Sequence, residues 1–212
     1  MIKKSLLLLA IFTLLSSISA KATNYDEVMQ GDLSNDRLNP NSIVLSYGQV
    51  GINGIAGNNI ISGKIGRSNG VIDRDYLHVV VPSGFVWSEL RLGNQSNVGG
   101  GASFIGLASG NVMPIDPNST SATGLLGYKL YGIADLQQNI LDDMGISANG
   151  STGFTPPLAA GDYTLWMQEL ATGNFNYRFN LILSPVPEPQ TYVMLLAGLG
   201  FMSLSLRLIK RR

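Results

Sequence analysis

Apolar and polar positions alternate over short stretches through most of the chain. Runs of five to eight residues recur between clusters of Gly, Asn, Ser and Thr. This spacing is typical of short β-strands separated by turns. The predicted strands are Ser42 to Tyr47, Asn59 to Ile65, Asp75 to Val81, Val86 to Leu92, Ser103 to Leu107, Leu126 to Tyr131, Asp162 to Glu169 and Asn176 to Leu183. About eight strands predict an all-β fold, a jelly-roll-like β-sandwich.

The alternation also predicts which side chains face the core. It is clearest in the last two strands, whose inward faces would carry Tyr163, Leu165 and Met167, and Tyr177, Phe179, Leu181 and Leu183. In the strand from Val86 to Leu92, strict alternation puts Trp87 on the opposite side from Leu90. Trp87 is therefore predicted to be exposed or to lie at an edge.

A single short helix is predicted from Leu136 to Met144. Asp135 could cap its first amides and Gly145 could end it.

The N-terminus has the pattern of a secretory signal peptide over residues 1–22. Lys3 and Lys4 precede the apolar stretch Leu6 to Leu15, and Ala20-Lys21-Ala22 follows as a small-residue cleavage site. The cut would follow Ala20 or Ala22. An uncleaved anchor is the alternative, but the apolar stretch is too short to span a membrane comfortably.

The C-terminal residues 185–212 combine a proline hinge, an apolar helix and a basic end. Pro187 and Pro189 favour extended backbone around Glu188. The segment from Tyr192 to Ile209 would be roughly 27 Å long as a helix, against about 30 Å of hydrocarbon, so it is predicted to span a membrane. The basic residues that would stop transfer and stay on the cytoplasmic side are Arg207, Lys210, Arg211 and Arg212.

These residues resemble the PEP-CTERM sorting signal of Gram-negative bacteria. The motif Val186-Pro187-Glu188-Pro189, the apolar stretch and the basic end occur in the order of that family. The resemblance implies that an exosortase is a partner and cuts near Pro187-Glu188-Pro189. The protein would then pass from a transient membrane anchor to the cell surface or extracellular matrix. The alternative is a permanent C-terminal anchor.

Between the two ends lies one predicted domain, residues 23–184. It contains seven basic and thirteen acidic residues, a net charge of −6. Nucleic-acid binding is excluded as a function, because contact with phosphates needs grouped Lys and Arg. The chain has no cysteine, so this exported domain must be stable without disulfides.

The middle region resembles the bacterial pre-peptidase C-terminal domain. The resemblance rests on Asp73-Arg74-Asp75-Tyr76, on Val81-Pro82-Ser83-Gly84 and on Gly161-Asp162-Tyr163-Thr164-Leu165. It implies a β-sandwich used as an exported accessory or binding module.

No hydrolase motif occurs in the structural context that its chemistry requires, so the chain is predicted not to be an enzyme. His78 is the only histidine and is interpreted as structural or as a surface residue. The run Gly66-Arg67-Ser68-Asn69-Gly70 has the Gly-x-Ser-x-Gly spacing, but it falls between two predicted strands and not between a strand and a helix, as a nucleophile elbow does. Zinc sites usually take several His or Cys ligands. The adjacent acids Asp142 and Asp143 are interpreted as exposed helix residues.

Calcium is the one cofactor hypothesis, because hard oxygen ligands crowd two places. The candidate ligands are Asp32, Asn35 and Asp36 near the start of the domain, and Asn69, Asp73 and Asp75 before the third strand. The same clusters also fit Asx-turns, which satisfy their own backbone, and this interpretation is favoured.

Two functions from different classes remain. The first is a non-enzymatic surface or matrix protein associated with extracellular polysaccharide. The second is a carbohydrate-binding module that stacks sugars on Trp87 and Trp166. Trp166 could instead cover an outer sheet face beneath the loop insert that lies between Ser103 and Pro157. A secreted hydrolase is the least favoured class.

Overall fold

Nine strands and a few short helical turns make up the part of the chain that the structure describes. This computed structural model describes residues 23–48, 57–99 and 101–186. The strands are β1 (Asn24–Asp26), β2 (Asn41–Val44), β3 (Asn58–Ser68), β4 (Val71–Val81), β5 (Phe85–Leu92), β6 (Ser103–Ser109), β7 (Gly127–Tyr131), β8 (Gly161–Gln168) and β9 (Gly173–Pro185). The helices are α1 (Glu27–Gln30) and α2 (Leu141–Met144), with a 3-10 turn at Ile133–Asp135. All eight predicted strands are present, and β1 is additional.

The strands form one continuous sheet that curls on itself. Its order is β5-β9-β3-β4-β8-β6-β7, with β1 parallel to β3 and β2 parallel to β4. The long strand β4 connects the two halves, since its start pairs with β3 and its remainder with β8. We call β1, β3, β9 and β5 the first half, and β2, β4, β8, β6 and β7 the second half.

The two halves enclose one hydrophobic core. Trp87 of β5 packs edge-on against Tyr163 of β8, and Tyr131 of β7 packs edge-on against Phe179 of β9, with ring centroids 6.2 Å and 5.5 Å apart. The inward residues predicted on β8 and β9 are all buried in this core. The predicted all-β, sandwich-like fold class is therefore confirmed.

The predicted exposure of Trp87 is wrong. The register of β5 against β9 shifts between Trp87 and Glu89, so Ser88 is an extra residue in the strand. Such a bulge changes which side of the sheet the following residues face. Trp87 consequently shares the inner face with Leu90 and Leu92, is 0% exposed, and donates its Nε1–H to the Glu89 carbonyl at 2.8 Å.

The predicted helix from Leu136 to Met144 is also largely wrong. Only α2 is helical, and Gly145 ends it as predicted. The residues before α2 instead bond to the outer edge of β5. Gln137 N–H donates to Leu92 O at 2.7 Å, and Ile140 N–H donates to Leu90 O at 2.8 Å. Asp135 lies in the 3-10 turn, where its carboxylate accepts from Gly132 N–H.

Several predictions fall on residues outside those described. They are the signal peptide with Ala20 and Ala22, the membrane helix, and the motif and basic residues Pro187, Glu188, Pro189, Arg207, Lys210, Arg211 and Arg212. Among the described residues, no helix has the length and apolar character needed to cross a membrane.

Candidate functional site

A cleft of about 490 Å³ opens in the first half of the sheet, between the N-terminal segment and strands β3 and β9. Its lining includes Asp26, Glu27 and Asp32 of the N-terminal segment, together with Lys64 of β3 and Tyr177 of β9. The cleft exists because β1 adds in parallel to β3 and α1 then turns back over it. Asp26 caps α1 by accepting from Val28 N–H at 2.9 Å.

Glu27 is held in a fixed position on the floor of the cleft. Its carboxylate accepts hydrogen bonds from Lys64 N–H at 2.8 Å, from Leu33 N–H at 3.2 Å and from the Tyr177 hydroxyl at 3.2 Å. Even so, burial raises the pKa of Glu27, and the nearby Asp32 carboxylate adds to that rise, against the lowering effect of the two backbone donors and of the Asp75 side chain.

Gly63 provides the room for Glu27. A Cβ atom at this position would overlap both the Glu27 carboxylate and the Tyr177 hydroxyl. The requirement is for space, since any larger residue would push the glutamate off the floor of the cleft.

Asp75 lies behind Glu27 and is fully buried, at 0% exposure. Alternation along β4 points it inward, on the same face as Leu77 and Val79. Neither of its carboxylate oxygens accepts a hydrogen bond of normal geometry among the described residues, although the Tyr177 hydroxyl and the Glu27 carboxylate are close enough to influence its pKa. Burial raises the pKa of Asp75 far above the usual range, and the Glu27 carboxylate raises it further.

Asp32 completes an acidic cluster with these two residues. Single carboxylate oxygens of Glu27, Asp32 and Asp75 all lie within 4.8 Å of one another, although the residues come from α1, the loop after it and β4. Asp32 is exposed to the cleft. Asp73 lies close enough that Asp32, after burial, contributes to raising its pKa.

The structure brings only two of the six predicted calcium ligands together. Asp32 from the first group and Asp75 from the second meet at this cluster. Asn35 instead spans to β4, donating to Asp73 Oδ1 at 3.2 Å and accepting from Arg74 N–H at 2.7 Å. Asp36 caps its own turn through Leu38 N–H and Asn39, and Asn69 occupies the β3–β4 turn with φ 51°.

Sequence reasoning missed Glu27, the residue that joins the two groups. It is separated from Asp75 by 48 positions, and the parallel pairing of β1 with β3 rests on only three residues. No local pattern in the chain signals a contact of this kind.

A second, smaller cleft of about 180 Å³ lies on the outer face of the second half, beneath the insert that follows β6. Phe104 and Tyr128 line it with Trp166, and Phe104 packs edge-on against Trp166 with centroids 4.6 Å apart. Trp166 is only 5% exposed, because Met113, Ile115 and Leu125 of the insert cover it. Trp166 therefore lies on the outer sheet face beneath the insert, which was the second of the two positions considered from the sequence. The half-buried rings of the cleft are those of Phe104 and Tyr128.

His78 links three strands on the same outer face. One ring nitrogen, Nδ1, lies 2.8 Å from Ser42 Oγ, and Nε2 lies 2.8 Å from Asp162 Oδ1. Ser42 is in β2 and Asp162 in β8, on either side of β4. The residue types are those of a serine hydrolase triad, but Ser42 lies within a strand instead of on the sharp turn that exposes such a nucleophile.

The folded domain ends at the start of the C-terminal segment. Strand β9 pairs with both β3 and β5, and its last residue, Pro185, still pairs with Phe85. Val186 donates its N–H to Gly84 O at 2.8 Å and is 44% exposed. Val186 is the last residue that the structure describes.

Residues 185–212 match the family model described as the PEP-CTERM protein-sorting motif. No curated protein and no solved structure matches the chain. The match confirms the recognition of the C-terminal signal. The resemblance of the middle region to the pre-peptidase C-terminal domain stays a prediction.

Proposed function

We propose that this chain, which carries a PEP-CTERM sorting motif at residues 185–212, is a non-enzymatic protein of the extracellular layer. The motif makes it an exported protein sorted by an exosortase to the cell surface. The proposal adds that the enzyme cuts near Pro187-Glu188-Pro189. The released β domain then joins a polysaccharide-rich matrix.

The observation that carries this proposal is the coincidence of two boundaries. Among the described residues the last strand of the sheet ends at Pro185, and the matched motif begins at the same residue. A cut after Val186 would remove no strand and break no pairing of β9 with β3 or β5. The domain is thus suited to survive loss of its C-terminal segment.

Intact mass of the protein from cell envelope and medium tests the cleavage. We expect wild type to end near Pro187-Glu188-Pro189 and Glu188→Ala to stay full-length in the membrane fraction. Gln190→Ala, which leaves Val186-Pro187-Glu188-Pro189 intact, is the control and should be processed normally. If wild type also retains Arg212, the segment is a permanent anchor and the proposal fails.

The non-enzymatic part of the proposal is supported by how the Ser42, His78 and Asp162 array is built. An acyl-transfer site also needs backbone N–H donors arranged around the developing oxyanion. None of these three residues lines either cleft described above. The array is better suited to fastening strand β2 across β4 to β8.

Assays on esterase, protease and glycosidase substrates test that interpretation. We expect no turnover by the wild-type protein and a lower Tm for His78→Ala. Turnover that disappears in both His78→Ala and Ser42→Ala, while both variants remain folded, would instead make the protein an enzyme.

Carbohydrate binding is the second candidate function, and the smaller cleft is the observation that favours it. Phe104 and Tyr128 are stacked at 5.9 Å and partly exposed, and the polar groups of Ser119, Asn149 and Gln168 surround them. Partly exposed rings bordered by hydrogen-bonding groups are suited to sugar faces. Trp87, being buried, is no longer a candidate.

Binding of matrix polysaccharide to the wild type and to Tyr128→Ala separates the two candidates. Loss of binding in Tyr128→Ala but not in Tyr47→Ala, an exposed aromatic elsewhere, would support a glycan site in the cleft. Equal binding by both variants would rule out the cleft.

A further inference from the structure

We propose that Glu27, Asp32 and Asp75 form a binding site for a hard divalent cation, Ca²⁺, at the floor of the larger cleft. The proposed site lies in the β domain and does not depend on the C-terminal sorting motif.

The separation of the carboxylates fits a single ion. Calcium takes oxygen ligands at about 2.3–2.6 Å, so two oxygens on opposite sides of one ion are about 5 Å apart. The three ligand oxygens lie within 4.8 Å of one another. They belong to α1, the following loop and β4, so an ion would join the N-terminal segment to the junction strand.

Asp75 supplies independent evidence for a ligand. A fully buried carboxylate normally receives hydrogen bonds or an opposite charge, since leaving it unpaired is costly. No donor among the described residues meets either oxygen of Asp75 at normal hydrogen-bond geometry. The groups around it are the Tyr177 hydroxyl and the acids Glu27 and Asp32. A cation between the three would satisfy all of them.

No basic side chain of the described residues provides this compensation. The ion pairs there involve His78, Arg91 and Lys129, none of which contacts Glu27, Asp32 or Asp75. The nearby Arg178 donates to Gln95. Lys64 and Arg178 line the same cleft, but neither forms an ion pair with any of the three acids.

The type of ligand selects the class of metal. The cluster contains carboxylate oxygens and neither imidazole nor thiolate, which disfavours zinc and copper. Asp32 faces the open cleft, so water can complete the shell. Calcium accepts such irregular, partly hydrated coordination more readily than magnesium does, because magnesium requires near-octahedral geometry.

The carboxylate of Glu27 is already held in position by groups of the protein. Two backbone N–H groups and the Tyr177 hydroxyl hold its carboxylate, and Gly63 keeps its position free. Groups that orient a metal ligand in this way typically affect affinity by about 10- to 100-fold.

Calorimetric titration of Ca²⁺ into the full chain, purified in detergent and stripped with a chelator, tests the site. We expect one equivalent of binding and a higher Tm in Ca²⁺ than in NaCl of equal ionic strength. Asp75→Asn should abolish both effects while raising the Tm of the metal-free protein, because it removes a buried acid. A residue needed only for folding would lower that Tm.

Two further variants make the test specific. Gly63→Ala changes no carboxylate but displaces Glu27, so it should weaken Ca²⁺ binding by about tenfold or more. Asp36→Asn, whose carboxylate caps its own turn, should bind like wild type. Absence of Ca²⁺ binding by wild type, an equal Tm rise in NaCl, or equal losses in Asp36→Asn and Asp75→Asn would overturn the proposal.

Discussion

At the scale of single residues, Asp75 is the clearest departure from ordinary protein chemistry. Burial and the neighbouring Glu27 carboxylate raise its pKa to about 10 in the folded chain, whereas an unfolded aspartate titrates near about 3.9. The folded state therefore keeps a proton that the unfolded state has released. The titratable groups around it are Tyr25, Glu27, Asp32, Asp73, Tyr131 and Tyr177.

This shift gives stability a definite pH dependence in the metal-free protein. The contribution of Asp75 is fully present below about pH 4 and is lost as the pH rises toward about 10. We expect the Tm in chelator to fall over that range, and Asp75→Asn to flatten the slope. Thermal melts from pH 5 to 9 check this, and equal slopes for the two proteins would contradict it.

Trp87 shows how one extra residue in a strand makes apolar/polar alternation predict the wrong face. Alternation is a sound guide to strand faces only while the register holds, and nothing in Val86-Trp87-Ser88-Glu89 announces a bulge. The alternation on β8 and β9 predicted the core correctly, because the inward residues there pair without interruption across the sheet.

Truncating Trp87 should destabilise the domain strongly. We expect Trp87→Ala to lower the free energy of unfolding by about 3–5 kcal/mol, because it leaves a large cavity in the core. Trp87→Phe should cost less, as it keeps most of the volume and loses mainly the Nε1–H bond to Glu89. Urea denaturation measures both, and a near-neutral Trp87→Ala would show that the ring is not packed.

At the scale of elements, the segment before α2 illustrates tertiary contacts overriding helical propensity. Its backbone groups bond to the outer edge of β5, and Gln137 adopts φ 64°, which a helix does not allow. An exposed strand edge is prone to pair with other chains, and this segment covers it. The helix signals could be recognised in the sequence. The exposed edge of β5 could not, because it exists only in the folded sheet.

Asn139 is the side chain on which this cover depends. Its Oδ1 accepts from Leu90 N–H at 3.0 Å and from Leu141 N–H at 3.2 Å, so it bonds both β5 and α2. We expect Asn139→Ala to cost about 1–3 kcal/mol, since it leaves a ladder N–H unpaired. Exposed Asn94→Ala is the control, and equal urea midpoints for the two would refute the role.

At the scale of the whole molecule, local patterns predicted the strands, the fold class and the C-terminal signal. The larger cleft could not be found this way. It depends on Glu27 and Asp75 meeting through a parallel pairing of β1 with β3, and both are long-range features without a sequence period. The smaller cleft depends on the path of the insert after β6, which has no regular structure to predict.

The boundary at Pro185 predicts that the domain is independent of the C-terminal segment. A chain of residues 23–186 should have the same Tm as the full chain within about 2 °C, because it retains every strand that the structure describes. A chain ending at Phe179 should not fold, since it loses the pairings of Leu181 and Ile182 with β3 and β5. Circular dichroism melts decide both.

The position of β9 also determines when the domain can fold during export. Asn58 near the start of β3 pairs with Ile182 near the end of β9, so the first half stays incomplete until almost the whole domain has crossed the membrane. Pairing across so much sequence is slow compared with local structure. During the proposed export, the sheet can therefore close only after β9 has emerged, which is just before the proposed exosortase cut.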